Sequence, residues 1–374
     1  MKKSTIKICH LTSVHVPFDT RIFHKECKSL AAFGYDVHLI AGHERDEEIY
    51  GVHIHAIPAI ENKVKRLINS PRAVYKKALE DTYDLYHFHD PELLPVGLLL
   101  KLRGKKVIYD VHEDYPKYIK DKYWISNKVL RKIIAFLLDK FERFSAMFFD
   151  RIIVVTPDIA KRFTGKKTSI IKNYVSLDFI DQIEPYKTDS DKFIIIYVGD
   201  LSKNRGIKEA IQAMEFIGDK AELWLLGRWG TSELRNECEN LYGWRYTKFF
   251  GNKTLESTYS YIKSSDIGLH CVNINDYYLS GLPTKLFEYA ACQLPTVISY
   301  SKYWEEKFGD FVLFTDPDDP EDIARCILLL INNEYLRRKM GEKARRFVEK
   351  TNNWENEKLK LYEVYKNMLE DEVS

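Results

Sequence analysis

Short apolar runs alternate with helix-patterned stretches along almost the whole chain, and the rhythm starts twice. Few folds accommodate such a pattern. The first series of strand-like runs is Ile6–Leu11, Asp36–Ala41, Asp84–Phe88, Lys106–Val111 and Arg151–Val155. A helical pattern over Arg21–Phe33 lies between the first two, and Gly34 stops it as a glycine just past a helix end does. The second series is Phe193–Val198, Glu222–Leu226, Asp266–His270, Pro295–Ile298 and Phe311–Phe314, and from Pro320 onward the pattern is helical. Uninterrupted apolar strands separated by helices predict parallel sheets covered on both faces. No repeat of 20–50 residues and no low-complexity tract interrupts the pattern.

A length of 374 residues is enough for two such domains. The segment between the two series, Ser176–Lys192, is rich in Asp, Glu and Lys, carries Pro185 and reads as the linker. The expected domains are therefore residues 1–180 and 190–353, followed by a last amphipathic helix from Trp354. A net charge of +2 argues against a nucleic-acid binder. No apolar run approaches the roughly 18 residues of a membrane span, and the longest, such as Ile133–Leu138, are core-sized. Lys2 and Lys3 are followed by a polar, strand-like stretch with no long apolar core, so a cytoplasmic location is expected. The six cysteines are scattered without a CxxC pair. Buried reduced thiols are expected rather than a disulfide framework or a zinc site.

In open parallel sheets ligands gather at the carboxyl ends of the strands, so polar and glycine residues just after strands are the candidates for chemistry. The most informative segment is Ser280-Gly-Leu-Pro-Thr-Lys-Leu-Phe-Glu288-Tyr. Pro283 suits a helix start, and free N–H groups there, with the Thr284 hydroxyl and the Lys285 cation, suit a nucleotide phosphate. Glu288 lies one turn beyond Thr284 on nearly the same face, where a carboxylate can accept from two vicinal hydroxyls; an ordinary capped helix with a solvated Glu is the alternative. Tyr197-Val-Gly199-Asp200-Leu-Ser202-Lys203-Asn204-Arg205-Gly206 is a strand, glycine turn and helix start with cations suited to a pyrophosphate. His112, in Tyr109-Asp110-Val111-His112-Glu113-Asp114, follows a strand. So does His87-Phe-His89-Asp90-Pro91-Glu92. The loop after the first strand carries His15, Asp19, Thr20 and Arg21; Asp19 and Thr20 could equally cap the next helix. Gly227 ends the strand-like run Glu222–Leu226. The histidines and acids fit no standard metal spacing, and no metal is expected.

The segment Thr284-Lys285-x-Phe287-Glu288-Tyr289-x-Ala291, followed by Pro295-x-Val297, resembles the EX7E region of retaining glycosyltransferases of family 4. The resemblance extends over nearly the whole chain. It implies a GT-B fold: two Rossmann-like α/β domains facing a cleft, with a C-terminal helix (354–374) crossing back to the N-domain. The N-domain would bind the acceptor and the C-domain the nucleotide-sugar. The reaction implied moves a sugar from a nucleotide-sugar, UDP-linked in the first instance, to a hydroxyl of a glycan or lipid-linked acceptor in surface polysaccharide synthesis. It would retain anomeric configuration, with the leaving phosphate helping to take the acceptor proton. By the same resemblance Glu288 holds the ribose, Arg205 the leaving phosphate, and His112 sits near sugar and acceptor. Gly199, Lys203, Gly227, Gly251, Leu282, Thr284 and Lys285 complete the donor site, and Asp19, Arg21, His89 and Glu113 the acceptor site. No cofactor is implied. Two positions depart from the pattern: Ser280 stands where the first glutamate falls, and Asp200 where an arginine falls. A sugar-nucleotide 2-epimerase and a non-catalytic subunit that binds a nucleotide-sugar are the alternatives.

Two N-domain stretches are basic. Glu61–Glu80 holds six Lys/Arg against two acids, and Lys117–Lys132 six against one, with Tyr118, Tyr123, Trp124 and Ile125 among them. Cations mixed with aromatics suit a protein peripheral on the inner face of an anionic membrane; a solvated basic helix is the alternative.

Overall fold

The structure is a computed structural model that describes residues 5–60, 63–120, 127–163, 165, 167–273 and 283–370. The chain forms two compact units. Unit 1 comprises Met1–Asn173 and Asn356–Ser374, and unit 2 comprises Tyr174–Glu355.

Unit 1 is built on an eight-stranded sheet in the order β3-β4-β2-β1-β5-β6-β7-β8. The strands are β1 (Lys7–Leu11), β2 (Asp36–Gly42), β3 (Glu47–Ile49), β4 (Val52–Ile57), β5 (Leu85–Phe88), β6 (Lys106–Val111), β7 (Arg151–Val154) and β8 (Thr168–Ile170). All neighbours pair in parallel except β3 with β4. β3, β4 and β8 lie outside the expected strands, although the alternating pattern of Val52–Ile57 is there to be read. The unit's helices are α1 (Lys28–Ala32), α2 (Lys63–Ala78), α3 (Leu94–Leu102), α4 (Tyr115–Lys120), α5 (Lys128–Ala146) and α6 (Pro157–Ala160). From β4 to β7 the chain steps across the sheet in one direction. Right-handed crossovers therefore put α2, α3 and α5 on one face. Val74, Ala78, Leu94, Leu100 and Ala146 close the core there against Cys9, Leu11, Phe88 and Val111.

The expected helix over Arg21–Phe33 starts as a wide π-turn, Ile22–Cys27, and continues as α1. Asp19 Oδ1 accepts from the N–H groups of Arg21 (2.8 Å) and Ile22 (2.9 Å), satisfying donors that a helix start leaves open.

Unit 2 holds a six-stranded, fully parallel sheet in the order β11-β10-β9-β12-β13-β14. Its strands are β9 (Phe193–Val198), β10 (Ala221–Leu226), β11 (Thr247–Gly251), β12 (Ile267–His270), β13 (Thr296–Ser299) and β14 (Val312–Thr315). Its helices are α7 (Leu177–Asp181), α8 (Ile207–Ile217), α9 (Ser232–Glu239), α10 (Leu255–Lys263), α11 (Thr284–Ala291), α12 (Lys302–Phe308), α13 (Pro320–Asn332) and α14 (Glu334–Lys350). Residues 176–192 are not the free linker their composition suggests. Leu177, Ile180 and Ile183 bury themselves in the core of unit 2, and Ser176 caps α7. Arg345 of α14 pairs with Asp181 (2.7 Å) and donates to Ala291 O (2.7 Å), which pins the end of α11.

The last helix, α15 (Trp354–Glu370), leaves unit 2 and packs on unit 1. The Tyr362 ring meets Phe33 at 4.6 Å, and Tyr365 is fully buried. The cysteines are free thiols, buried except for half-buried Cys292. No helix among the described residues is long and apolar enough to cross a membrane.

Candidate active site

In unit 1 the chain leaves β1 toward β2 on one side, and the later strands add on the other. β1 and β5 therefore flank a topological switch point, where strand ends leave room for a ligand. Asp90, one residue past His89 and 1% exposed, fastens the loop after β1 to this edge. Its Oδ2 accepts from Thr12 Oγ1 (2.7 Å) and the N–H groups of Ser13 (2.6 Å) and Val14 (3.2 Å). His15 on that loop lies between Asp90 (3.3 Å) and Asp19 (3.2 Å). Burial opposes a charge on His15. The hydrogen bond to Asp19 and the charges of Asp90, Asp19 and Glu113 override it and raise the imidazole to about 9. His15 is thus an imidazolium at neutral pH. The same pair holds Asp19 well below the usual carboxylate range against its own burial.

Behind this surface lies a buried polar network. His112, one residue past β6, directs Nε2 at Asp110 Oδ2 (3.0 Å). A carboxylate only accepts, so Nε2 carries a hydrogen, and Nδ1 is the ring nitrogen left outside this bond. His89 Nδ1 sits 3.4 Å from the same oxygen and 3.2 Å from His112 Nε2. Its other nitrogen meets His10 Nδ1 at 3.0 Å. Tyr365 Oη closes the far end, 3.2 Å from His10 Nε2 and 2.6 Å from His87 Nδ1. Burial holds His10 and His87 well below the ordinary imidazole range and His89 at about 4, so all three are neutral.

Arg21 brings a buried positive charge to this network. Its guanidinium grips Asp110 through Nε (2.9 Å) and Nη2 (3.1 Å), lies 3.0 Å from Glu26, and donates to Ile171 O (3.2 Å). Burial works against a charge on Asp110, but Arg21 and His112 keep it ionised; Glu26, equally buried, keeps its proton. This corrects the expectation that Arg21 and His89 face an acceptor. Arg21 is 3% exposed and His89 fully buried. Both reach the surface only through His112. Asp19 spends one oxygen on the helix start and the other on His15, and Glu113 is half-buried beside His112.

Three groups of side chains among the described residues bring possible metal ligands together: His10, Glu26, His87 and His89; His89, Asp110 and His112; and Asp36, His38 and His53. In the first two the Arg21 guanidinium already sits against the carboxylates.

In unit 2 the switch point lies between β9 and β12. Gly199, Gly227 and Gly251 line the adjacent strand ends at positive φ (145°, 147° and 73°). The Gly199 N–H donates to Leu226 O and the Gly227 N–H to Gly251 O, both at 2.9 Å. A Cβ on Gly227 would stand 1.8 Å from Gly199 O, and one on Gly206 2.2 Å from Cys271 O. Only glycine permits this bare, closely packed edge.

Lys203, exposed, and Arg205 form the turn that Gly206 ends, and Asn204 O accepts from the Asn273 N–H (3.1 Å), joining the loops after β9 and β12. Glu288 on α11 is 9% exposed, and its Oε2 receives Lys285 Nζ at 2.8 Å. Tyr289, the next residue, accepts from the Val198 N–H (3.1 Å) and so locks α11 to the end of β9. Thr284 opens α11 without a side-chain cap. His270, at the end of β12 and 4% exposed, is pushed down to about 3 by burial and then by the charges of Arg205 and Lys285. No sequence signal singles it out, whereas the cluster of histidines around His15 and Asp90 could have been read from their places after strands. Phe250 turns into an aromatic cluster with Trp224 and Tyr261. Leu282, Ser280 and Asp276 lie outside the described residues.

Two largely parallel Rossmann-like sheets, each with polar and glycine residues gathered at the switch point, are the architecture of the GT-B fold. Residues 20–179 match the family described as Glycosyltransferase Family 4, and residues 178–347 match Glycosyl transferases group 1. The chain belongs to the family 4 glycosyltransferases. A Methanocaldococcus jannaschii protein described as uncharacterized glycosyltransferase MJ1069 is 29% identical over 217 residues, covering 55% of this chain and 53% of that protein. The aligned stretch thus spans about half the length of that relative. Among solved structures, sucrose-phosphate synthase from Thermosynechococcus elongatus is similar with a TM-score of 0.73 at 17% identity, over 97% of this chain and 99% of that one. Anabaena Alr3699/HepE in complex with UDP-glucose is similar with a TM-score of 0.71 at 15% identity, over 97% and 100%. A trehalose-6-phosphate structure from E. coli bound with UDP-2-fluoro glucose gives 0.69 at 12% identity, over 96% and 98%. These likenesses concern the fold.

Proposed function

We propose that this chain transfers a sugar from a UDP-linked donor to a hydroxyl of a glycan or lipid-linked acceptor in surface polysaccharide synthesis, with retention of configuration. The observation that carries the reading is the placement of charge in unit 2: Arg205 lies in the turn after β9, and Lys285 lies 2.8 Å from Glu288 on α11, which Tyr289 fastens to the end of β9. A diphosphate needs the cations, and a ribose needs the carboxylate. The neighbours with UDP-glucose and UDP-2-fluoro glucose support uridine as the first base to test.

In this reading Gly199, Gly227 and Gly251 let the donor approach the backbone. Arg205, Lys203, Lys285 and the Thr284 helix start stabilise the diphosphate as the sugar leaves. Glu288, oriented by Lys285, accepts from the ribose hydroxyls. The leaving phosphate takes the acceptor proton as the acceptor oxygen attacks from the same face. Unit 1 serves the acceptor: His112 presents Nδ1 to a sugar or acceptor hydroxyl, with Asp19, His15 and Glu113 near it. No resident metal is part of the mechanism, since Lys and Arg carry the countercharge. The chain works as a peripheral protein on the inner membrane face.

The test is thermal stability in UDP-, GDP- and ADP-sugars. A ligand that binds the native state raises apparent stability by mass action. A UDP-sugar should raise it, and Glu288→Ala should remove the rise without unfolding the protein. A rise unchanged in that variant overturns the ribose role of Glu288. Conversion of the donor to its 2-epimer without acceptor would mark an isomerase instead.

A further inference from the structure

Helix α5 is amphipathic, but it lies the reverse way round. Its buried face carries Arg131, Ala135, Glu142, Ser145 and Ala146. Ile133, Phe136, Leu137, Phe141, Phe144 and, just past its end, Phe148 point outward, 41–60% exposed. Spacings of three and four residues align these six as one stripe. Of the apolar run Ile133–Leu138 only Ala135 is buried, although the run is of core length. The reversal has a local cause. Glu142 accepts from Tyr109 Oη (2.7 Å) and pairs with Arg162, which also holds Asp139 (3.0 Å), while Arg131 donates to Lys120 O (3.2 Å). Turning the apolar side inward would break these bonds and bury charges without partners.

An exposed apolar stripe of this size on a soluble unit marks a contact surface. Its charges say with what. Lys128, Lys132 and Lys140 are exposed on the same helix, whereas its two acids, Asp139 and Glu142, are turned toward Arg162. Lys140 lies over the Phe136 ring at 5.4 Å. A second copy docked on this face would set lysine against lysine. A bilayer with anionic headgroups instead accepts the apolar side chains below and the lysine ammonium groups at the phosphate level. We infer that α5 is a membrane-docking helix that lies in the plane of an anionic bilayer, with Phe136, Leu137, Phe141 and Phe144 inserted and its lysines on the headgroups. The basic, aromatic stretch expected to dock, 117–132, overlaps only the start of this helix; Tyr123, Trp124 and Ile125 lie outside the described residues. The inference does not depend on the donor chemistry of unit 2.

Flotation of the full chain with phosphatidylcholine vesicles, with and without phosphatidylglycerol, tests it. The unaltered protein should partition at least about tenfold more onto the anionic vesicles, and less as salt rises. Phe136→Ser with Phe141→Ser should lower that partition at least about tenfold. Lys132→Glu with Lys140→Glu should remove the preference for anionic lipid, and it decides the matter if the serine pair proves unfolded by circular dichroism. Equal partition onto both vesicles, or partition that the lysine pair leaves unchanged, overturns the inference. So does a concentration-dependent dimer in sedimentation that the serine pair dissociates while vesicles bind nothing. A chain that floats yet gains no stability from any nucleotide-sugar breaks the donor reading and leaves docking standing.

Discussion

Both units place their chemistry at the switch point of a parallel sheet, yet they build it from opposite materials. Unit 1 uses buried charge. One guanidinium, one carboxylate, one protonated carboxyl, three neutral imidazoles and a tyrosine stand behind a single half-buried histidine, His112. Unit 2 uses the absence of side chains: three glycines keep a strand edge bare, and its cations and Glu288 stand around it. The difference teaches where each unit is fragile. A buried ion network fails when one partner is removed, because the others stay buried without compensation. A glycine edge fails when anything is added.

The largest expected effect breaks the network. Arg21→Met leaves Asp110 without its guanidinium and should cost unit 1 about 3–5 kcal/mol in urea unfolding. A cost below about 1 kcal/mol would mean that the network does not hold the unit together. Next is the glycine edge. Gly227→Ala puts a methyl 1.8 Å from Gly199 O at a φ of 147° and should cost unit 2 about 2–3 kcal/mol while removing the UDP-sugar effect on stability. Unit 1, followed by hydrogen exchange at β1 and β5, should be unchanged.

His15 gives a smaller, pH-dependent effect. Its folded value of about 9 lies above its ordinary 6.5. Its contribution is therefore complete below about pH 6.5 and is lost as pH rises through 9. Stability should fall by on the order of 1–2 kcal/mol across that window, and His15→Gln should flatten the fall. A slope unchanged in the variant would detach His15 from Asp19 and Asp90. The smallest effect on stability sharpens the contrast. Glu288→Gln keeps the shape of α11 and should shift stability by less than about 0.5 kcal/mol, yet weaken donor binding at least about tenfold by calorimetry.

Much of this was legible in the sequence, for reasons that differ by residue. The principal strands announce themselves as apolar runs, and Gly199, Gly227, His112 and Glu288 stand where the rhythm places strand ends and a helix face. Arg21 misleads because an Asp-Thr-Arg loop looks solvated, while its partner Asp110 is 89 residues away. Residues 176–192 mislead because their charges hide the three-residue spacing of Leu177, Ile180 and Ile183. Helix α5 misleads in the most instructive way. Periodicity shows that a helix has two faces, but which one turns inward was decided by Tyr109 and Arg162, which no local pattern connects to it.

The return of α15 to unit 1 sets an order of assembly. Tyr365 closes on His87 across 278 positions of chain, so unit 1 cannot seal its interior until α15 has been made. Unit 2, continuous in sequence, has all its strands earlier. On the ribosome the sheet of unit 1 must wait with its imidazoles open to water, and a message cut short before α15 yields a nascent chain fit for chaperones rather than for work.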